Sequence, residues 1–226
     1  MPHRSPDDRK YRRQRARLVQ TLRQRGIENE RVLAAIEAVP RHRFVDPALR
    51  SRAYADEALP IGKKQTISQP FTVAYQTSLL DPQPGDRVLE VGTGSGYQAA
   101  VLCELGARVF SVERHKELLD RTRRLLEELG YRVVTRHGDG TQGWPAFAPY
   151  DGIVVTAGAR EIPRPLLEQL RAPKEEGQAG GRLVIPVGGH RGQRMYRITR
   201  VGPETYEREE FHSFRFVPLV RETNGG

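Results

Sequence analysis

Hydrophobic residues from position 87 onward form short runs that alternate with longer amphipathic stretches. The short runs are rich in valine, isoleucine and leucine and predict strands, whereas apolar residues three or four positions apart predict helices. This alternation is typical of an α/β fold, in which a mostly parallel sheet carries helices on both faces. The predicted strands span 87–91, 108–112, 132–136, 151–156 and 182–187, and the predicted helices span 96–105, 115–129 and 163–171.

Helical patterns broken by proline and glycine precede the sheet. The pattern predicts a first helix over 5–25 and a second helix that is capped by Asn29 and ends at Pro40. A third helix is predicted over 70–80. Residues 41–69 are expected to be mostly irregular, and so long a connection in a compact domain tends to be functional.

The last third of the chain has a different pattern. Residues 193–200 and 206–216 predict two strands joined through a Gly-Pro turn, and 172–181 predicts a surface loop. The expected architecture is therefore a single α/β domain, doubly wound, with a mostly parallel seven-stranded sheet. N-terminal helices precede the sheet, and an antiparallel C-terminal edge completes it.

The positive charge is concentrated at the start of the chain. The formal net charge of the 226 residues is +9, and residues 1–25 contain nine basic residues against two acidic ones. A nucleic-acid site on this helix is possible. We favour a solvated helix face, because Tyr11 is the only aromatic residue in the stretch.

Composition also limits the compartment and the kinds of site. No apolar run approaches the roughly 18 residues of a membrane helix, and no apolar signal region is recognised, so a cytoplasmic protein is expected. Cys103 is the only cysteine and is expected to be a buried, inert thiol. The six histidines lack metal-ligand spacing, which predicts no metal site.

A glycine-rich turn follows the predicted strand 87–91. Gly92, Gly94 and Gly96 remove side chains where a backbone turns tightly and approaches a ligand. Glu113 follows Gly92 by 21 positions, at the end of the next predicted strand. This order favours a nucleoside-bearing cofactor whose ribose hydroxyls bind the carboxylate. The alternative is a tight turn without a ligand.

Two further acidic residues belong to this pattern. Glu90 precedes the turn, and the resulting E-x-G-x-G-x-G resembles the first motif of S-adenosylmethionine-dependent methyltransferases. Asp139 lies between Gly138 and Gly140 after the predicted strand 132–136. Its carboxylate is placed either to accept a hydrogen bond from an adenine amino group or to stabilise the turn.

Absent motifs restrict the acceptor. The strand 151–156 ends without the Asn/Asp-Pro-Pro-Tyr/Phe that is typical of amino-group methyltransferases of adenine, cytosine and glutamine. No cysteine is placed to attack a pyrimidine ring, and no phosphate-binding loop is present. The expected acceptor is a nucleophilic oxygen.

The Thr-Ile-Ser-Gln-Pro sequence at 66–70, combined with the glycine turn, gives the most specific resemblance. The chain is similar to protein-L-isoaspartate (D-aspartate) O-methyltransferases over roughly residues 18–220. Lys64 departs from the pattern, because the family often has glycine there. The shared segments are 39–45, 66–70, 90–97, 138–140, 161–163, 181–188 and 215–219.

The resemblance implies a function and a set of site residues. The implied cofactor is S-adenosylmethionine, with S-adenosylhomocysteine as the product. The implied acceptor is the free carboxylate of L-isoaspartyl residues, and more weakly of D-aspartyl residues, in damaged polypeptides. Ser68 is the implied active-site residue, and Val217 and Pro218 would line the groove for the substrate main chain. The residues expected to bind the cofactor are Gln65, Thr66, Ile67, Glu90, Gly92, Thr93, Gly94, Ser95, Gly96, Glu113, Arg114, Asp139 and Gly140.

Ser68 is expected to position and partly desolvate the acceptor. A carboxyl group with a pKa of about 4 is already ionised near neutral pH, so no general base is required. A local alternative is that Ser68 helps to cap the third helix. The two roles are compatible, because free backbone N–H groups at a helix start also favour an anion such as an isoaspartyl carboxylate.

Other organisations and functions stay open. Residues 1–17 are expected to be a basic extension, 18–80 a helical and active-site segment, and 85–220 the cofactor-binding sheet. A monomer is favoured. The alternatives are an RNA methyltransferase of the same fold that uses the basic first helix, and a cofactor-binding protein without catalysis.

Overall fold

The structure is a computed structural model that describes residues 7–175, 177–189 and 192–219, with side chains described from residue 11 onward. Six α-helices and nine strands lie in these ranges. The helices are α1 (Asp7–Gln24), α2 (Glu30–Ala38), α3 (Pro70–Leu80), α4 (Tyr97–Glu104), α5 (Lys116–Glu128) and α6 (Arg164–Glu168). The strands are β1 (Leu59–Gly62), β2 (Gln65–Ile67), β3 (Arg87–Val91), β4 (Arg108–Glu113), β5 (Val133–His137), β6 (Gly152–Val155), β7 (Arg182–Gly189), β8 (Gly192–Arg200) and β9 (Tyr206–Phe214).

Seven strands form one sheet in the order β5-β4-β3-β6-β7-β8-β9. The five strands from β5 to β7 are parallel, and β8 and β9 continue the sheet antiparallel to their neighbours. Consecutive strands reverse their order on either side of β3, which makes the fold doubly wound. The fold class that the hydrophobic pattern predicted is confirmed.

Alternate residues of the parallel strands face opposite helical layers. Val88 and its neighbours on one face pack against α3 and α4 through Leu80 and Leu102. Leu89 and its neighbours on the other face pack against α6 through Leu166. Because both faces are covered, the central strands are apolar on both sides and read as continuous hydrophobic runs.

Asn29 caps α2 as predicted. Its side-chain oxygen accepts hydrogen bonds from the backbone N–H groups of Arg31 and Val32, at 3.1 and 3.2 Å. The predicted start of the first helix at Ser5 lies outside the described residues. Within α1, Tyr11 is buried and stacks on His42, with ring centroids 4.0 Å apart. The described part of the basic stretch is therefore packed on the domain.

The segment 41–69 contains more regular structure than predicted. It includes two 3₁₀ turns and the hairpin of β1 and β2, whose strands have only four and three residues. Strands this short carry too little alternation to be recognised. Lys63 and Lys64 turn the hairpin in the left-handed region, at φ 51° and 57°. Glycine adopts this conformation without strain, whereas side-chain-bearing residues such as these lysines adopt it rarely.

No helix among the described residues is both long enough and apolar enough to cross a membrane.

Candidate active site

Two clefts open at the carboxyl ends of the parallel strands. The first cleft lies over the glycine turn between β3 and α4, and β2 closes it from above. The second cleft lies between the start of α3 and the segment that follows β9. Both clefts are lined by Thr66, Ser68, Thr156 and Val217. These four residues therefore form the junction between the two clefts.

The glycine turn and Glu113 form one hydrogen-bonded unit. The Glu113 carboxylate accepts hydrogen bonds from the backbone N–H groups of Gly94 and His115, each at 2.8 Å. The backbone of Gly94, which lines the first cleft, is not crowded by other side chains. A Cβ built on Gly94 would have only Ile61 within 4 Å, at 3.6 Å. Glu113 is thus oriented at the cleft with free lone pairs on both oxygens.

Glu90 lies at the base of the first cleft and is fully buried. One carboxylate oxygen accepts a hydrogen bond from the Ser111 hydroxyl at 2.5 Å, and the other has no hydrogen-bond partner among the described residues. Burial raises the pKa of Glu90 to about 8. A buried polar atom without a partner at a cleft is a position where a bound ligand completes the hydrogen bonding.

The raised pKa of Glu90 predicts a pH-dependent stability for the protein without cofactor. Between about pH 4.5 and about pH 8 the folded state holds a proton that the unfolded state has released, so the free energy of unfolding falls as pH rises through this range. Glu90→Gln cannot ionise. We therefore expect the melting temperature of the variant, relative to the unmodified protein, to increase with pH across this window.

Differential scanning calorimetry without cofactor measures this difference. Glu127→Gln, which alters an exposed carboxylate on α5, is the control and should follow the unmodified protein at every pH. If Glu90→Gln also runs parallel to the unmodified protein, Glu90 is ionised throughout and the assignment fails.

All but two of the residues expected to bind the cofactor line the first cleft. Gly96 does not line it, because its Cα hydrogen that a side chain would replace faces α5. A Cβ at this position would lie 2.6 Å from Thr122 Cγ2. Asp139 does not line the cleft either. Its carboxylate accepts a hydrogen bond from the Thr141 backbone N–H at 2.8 Å, as in the turn-stabilising alternative. The members that line the cleft are Gln65, Thr66, Ile67, Glu90, Gly92, Thr93, Gly94, Ser95, Glu113, Arg114 and Gly140.

Ser68 lies between β2 and α3, at the junction of the clefts. It does not cap α3, whose N-cap is Gln69 without a side-chain hydrogen bond. The Phe71 backbone N–H at the start of α3 donates to Asp56 at 2.8 Å. The capping alternative is therefore wrong, and Asp56, 15 residues away in sequence, takes the position where free N–H groups were expected to favour an anion.

The side chain of Arg41 holds the backbone of Ser68 through a hydrogen bond, and the sequence analysis did not predict this role. It is fully buried, and its guanidinium donates to the carbonyl oxygens of Ser68 and Ala53, each at 2.8 Å, and of Glu57 at 3.3 Å. Its position in the shared segment 39–45 was the only available signal.

Thr156 was also missed. It directly follows β6, and its hydroxyl donates to the Gly92 carbonyl at 2.7 Å. A Cβ on Gly92 would lie 2.5 Å from this hydroxyl oxygen, so the close approach of the two chains requires glycine.

Val217 and Pro218 close the first cleft from the C-terminal side. The Val217 carbonyl accepts a hydrogen bond from the Gly158 N–H at 2.8 Å, and the Leu219 N–H donates to the Gly158 carbonyl at 2.8 Å. This bridge holds the segment beside Thr156. Both predicted substrate-binding residues thus line the first cleft together with Ser68, and of the two only Val217 also lines the second cleft.

The family model of protein-L-isoaspartate(D-aspartate) O-methyltransferase matches residues 13–224. The chain belongs to this family. A protein-L-isoaspartate O-methyltransferase of Salinibacter ruber is 73% identical over 223 residues, which cover 97% of each chain. That of Pseudomonas paraeruginosa is 55% identical and covers 92% of this chain and 96% of its own. The resemblance inferred from 66–70 and the glycine turn is confirmed, and the chain is a carboxyl O-methyltransferase.

Solved structures agree with the fold. A protein-L-isoaspartate O-methyltransferase structure is 30% identical with a TM-score of 0.78, and covers 92% of this chain; this chain spans 66% of that protein's length. A Plasmodium falciparum protein described as a putative protein-L-isoaspartate O-methyltransferase, solved with S-adenosyl-L-homocysteine, is 24% identical with a TM-score of 0.75. The match covers 90% of this chain and 96% of that one.

Proposed function

We propose that this methyltransferase transfers the methyl group of S-adenosylmethionine to the free carboxylate of L-isoaspartyl residues, and more weakly of D-aspartyl residues, in damaged polypeptides. In this proposal Ser68 orients the acceptor. The observation that supports it is the junction of the two clefts, where Ser68 faces both. A cofactor in the first cleft and a peptide in the second would meet at that side chain.

The residues of the first cleft fit such a cofactor. Glu113 is oriented for ribose hydroxyls, Gly94 leaves room beside it, and the unpartnered oxygen of Glu90 is left for a hydrogen bond with the ligand. The sulfonium of S-adenosylmethionine supplies an electrophilic methyl group when the cofactor is bound. The protein therefore has to provide orientation and exclude water, and need not provide an activated nucleophile.

The acceptor needs no deprotonation, because a carboxylate with a pKa of about 4 is ionised at neutral pH. The Ser68 hydroxyl donates a hydrogen bond to one carboxylate oxygen and fixes the direction of the other. Arg41 holds the Ser68 backbone through the carbonyl oxygen, so the hydroxyl has a defined position. Alignment of two reactants in this way is worth on the order of 7–11 kcal/mol at best.

The proposal also covers partners and compartment. A damaged polypeptide is the expected macromolecular partner, the active unit is a monomer, and nucleic acid is not a substrate. A cytoplasmic location agrees with the single cysteine. One domain over 1–226 is consistent with the continuous packing of α1, α2 and α4 in one cluster.

The test uses purified protein, methyl-labelled S-adenosylmethionine, and paired peptides that differ only in an aspartyl or isoaspartyl linkage. We expect base-labile label on the isoaspartyl peptide alone. A parallel arm contains bulk transfer and ribosomal RNA. Label on RNA but on neither peptide would contradict the proposal, as would cofactor binding without any methyl ester.

The role of Glu113 gives a separate prediction. Glu113→Ala removes an acceptor of charge-assisted hydrogen bonds, each worth roughly 1.5–3 kcal/mol. We expect the Kd for S-adenosylhomocysteine, measured by calorimetry, to increase roughly 10- to 100-fold. Glu127→Ala, on the exposed side of α5, should leave this Kd unchanged. Equal affinities for the two variants would remove Glu113 from the cofactor site.

A further inference from the structure

The second cleft has aromatic walls. The Arg25 guanidinium lies over the ring of Phe71 at 4.0 Å from its centroid. The rings of Phe71 and Phe214 stack with centroids 6.3 Å apart, and Phe216 lies 6.2 Å from Phe214. These side chains, with His212 and Arg215, form a continuous wall from the end of α1 to the segment after β9. The wall reaches the junction at Ser68.

The charges of this cleft are of one sign. Among the described residues, no aspartate or glutamate lines it, whereas Arg25 and Arg215 do. The carboxylate of Asp56, which is 12% exposed, forms an ion pair with Arg25. It also accepts hydrogen bonds from the Phe71 backbone N–H and the Gln69 side chain. Its charge is therefore compensated within the protein and offers little to a bound peptide.

Among the described residues that line the cleft, Arg215 is the arginine that forms no ion pair. It is exposed at the rim of the second cleft, two residues before Val217. It has no ion pair among the described residues, unlike Arg194 and Arg197 on β8, which pair with Glu210 and Glu209. A guanidinium without a partner beside a binding cleft favours a carboxylate with which it forms two parallel hydrogen bonds.

We propose that the second cleft selects substrate segments in which residues next to the isoaspartyl residue are acidic, with Arg215 as the specificity-determining cation. This inference rests on the proposed function, because it assigns the occupant of the second cleft as the flanking peptide. Successive residues of an extended chain are about 3.8 Å apart, so a neighbour of the residue at Ser68 enters the same cleft. The aromatic wall contacts the backbone and apolar atoms of the peptide, and Arg215 determines the preference for acidic over basic neighbours.

The test is a panel of isoaspartyl peptides that are identical except for glutamate, glutamine or lysine on either side of the isoaspartyl residue. We expect kcat/KM for the glutamate peptide to exceed that for the lysine peptide by roughly 10-fold at low salt, mainly through KM. The ratio should fall towards unity as salt screens the exposed charge. A ratio that is unchanged by salt would contradict an electrostatic origin.

Arg215→Gln locates the effect. We expect it to lower the glutamate-to-lysine ratio of kcat/KM at least roughly threefold. Arg17→Gln is the matched control, because Arg17 is exposed on α1 and outside the cleft. If the two variants give the same ratio, the selectivity is not carried by Arg215 and the proposal is overturned.

The glutamine peptide separates this proposal from the function itself. Methylation of the glutamine peptide with no preference between the charged peptides would refute only the specificity. Absence of methylation from every isoaspartyl peptide would refute the proposed function.

Discussion

Replacing Ser68 with alanine is expected to lower kcat for an isoaspartyl peptide by roughly 10- to 100-fold, while the Kd for S-adenosylhomocysteine stays nearly unchanged. The lost group is one hydrogen bond to a charged acceptor, worth roughly 1.5–3 kcal/mol. Ser68 lines the first cleft, but many other residues line it too, so cofactor affinity should depend little on this one hydroxyl. Single-turnover kinetics and calorimetry measure the two quantities separately.

Ser51→Ala is the control, since it deletes the same hydroxyl from an exposed position in a 3₁₀ turn. Ser68→Thr retains a hydroxyl and should restore part of the rate. A parallel loss of turnover and cofactor affinity in Ser68→Ala would show that the residue maintains the local backbone and does not orient the acceptor.

Among the substitutions proposed for this protein, Arg41→Ala is expected to lower the free energy of unfolding most. It leaves buried carbonyl oxygens of Ala53 and Ser68 without their donor and opens a cavity against Tyr97, whose ring lies 4.6 Å from the guanidinium. We expect the free energy of unfolding to fall by on the order of 3–5 kcal/mol and the melting temperature by roughly 10 °C. Thermal unfolding measures this change.

Arg41 is a positioning residue as well as a structural one, so kcat should also fall in assays well below the melting temperature. Arg41→Lys should regain part of the stability but less of the rate, because one ammonium group does not reproduce the planar guanidinium fork. Arg43→Ala, in the same 3₁₀ turn, removes only a surface ion pair with Glu128 and should change neither by much. Equal effects at positions 41 and 43 would contradict this role.

Much of the fold was predictable because its signals are local. Buried runs such as 87–91 and 108–112 are continuous, since parallel strands are covered on both faces. Asn29 made the start of α2 predictable through capping, which depends on a few neighbouring residues. The hairpin of β1 and β2 escaped prediction because its strands are short and its turn uses two lysines in the left-handed region.

Part of the candidate site was predictable for the same reason. Gly92, Gly94 and Glu113 follow from the order of strand, turn and strand, because parallel strands bring their carboxyl ends to one edge of the sheet. Asp139 and Gly96 satisfy the same pattern but do not line the first cleft. A motif gives the position of a backbone, and the packing around it decides where each side chain points.

The sequence alone determined the doubly wound sheet, the glycine turn with its acidic partner, and the family, because these depend on periodicity and on motifs within short stretches. Only the tertiary structure decided that Arg41 holds Ser68 across 27 residues, that Asp56 caps α3, and that Arg215 shares a cleft with Arg25. These contacts join elements that are far apart in the chain. No local pattern encodes them, because they form only when burial of the apolar faces brings those elements together.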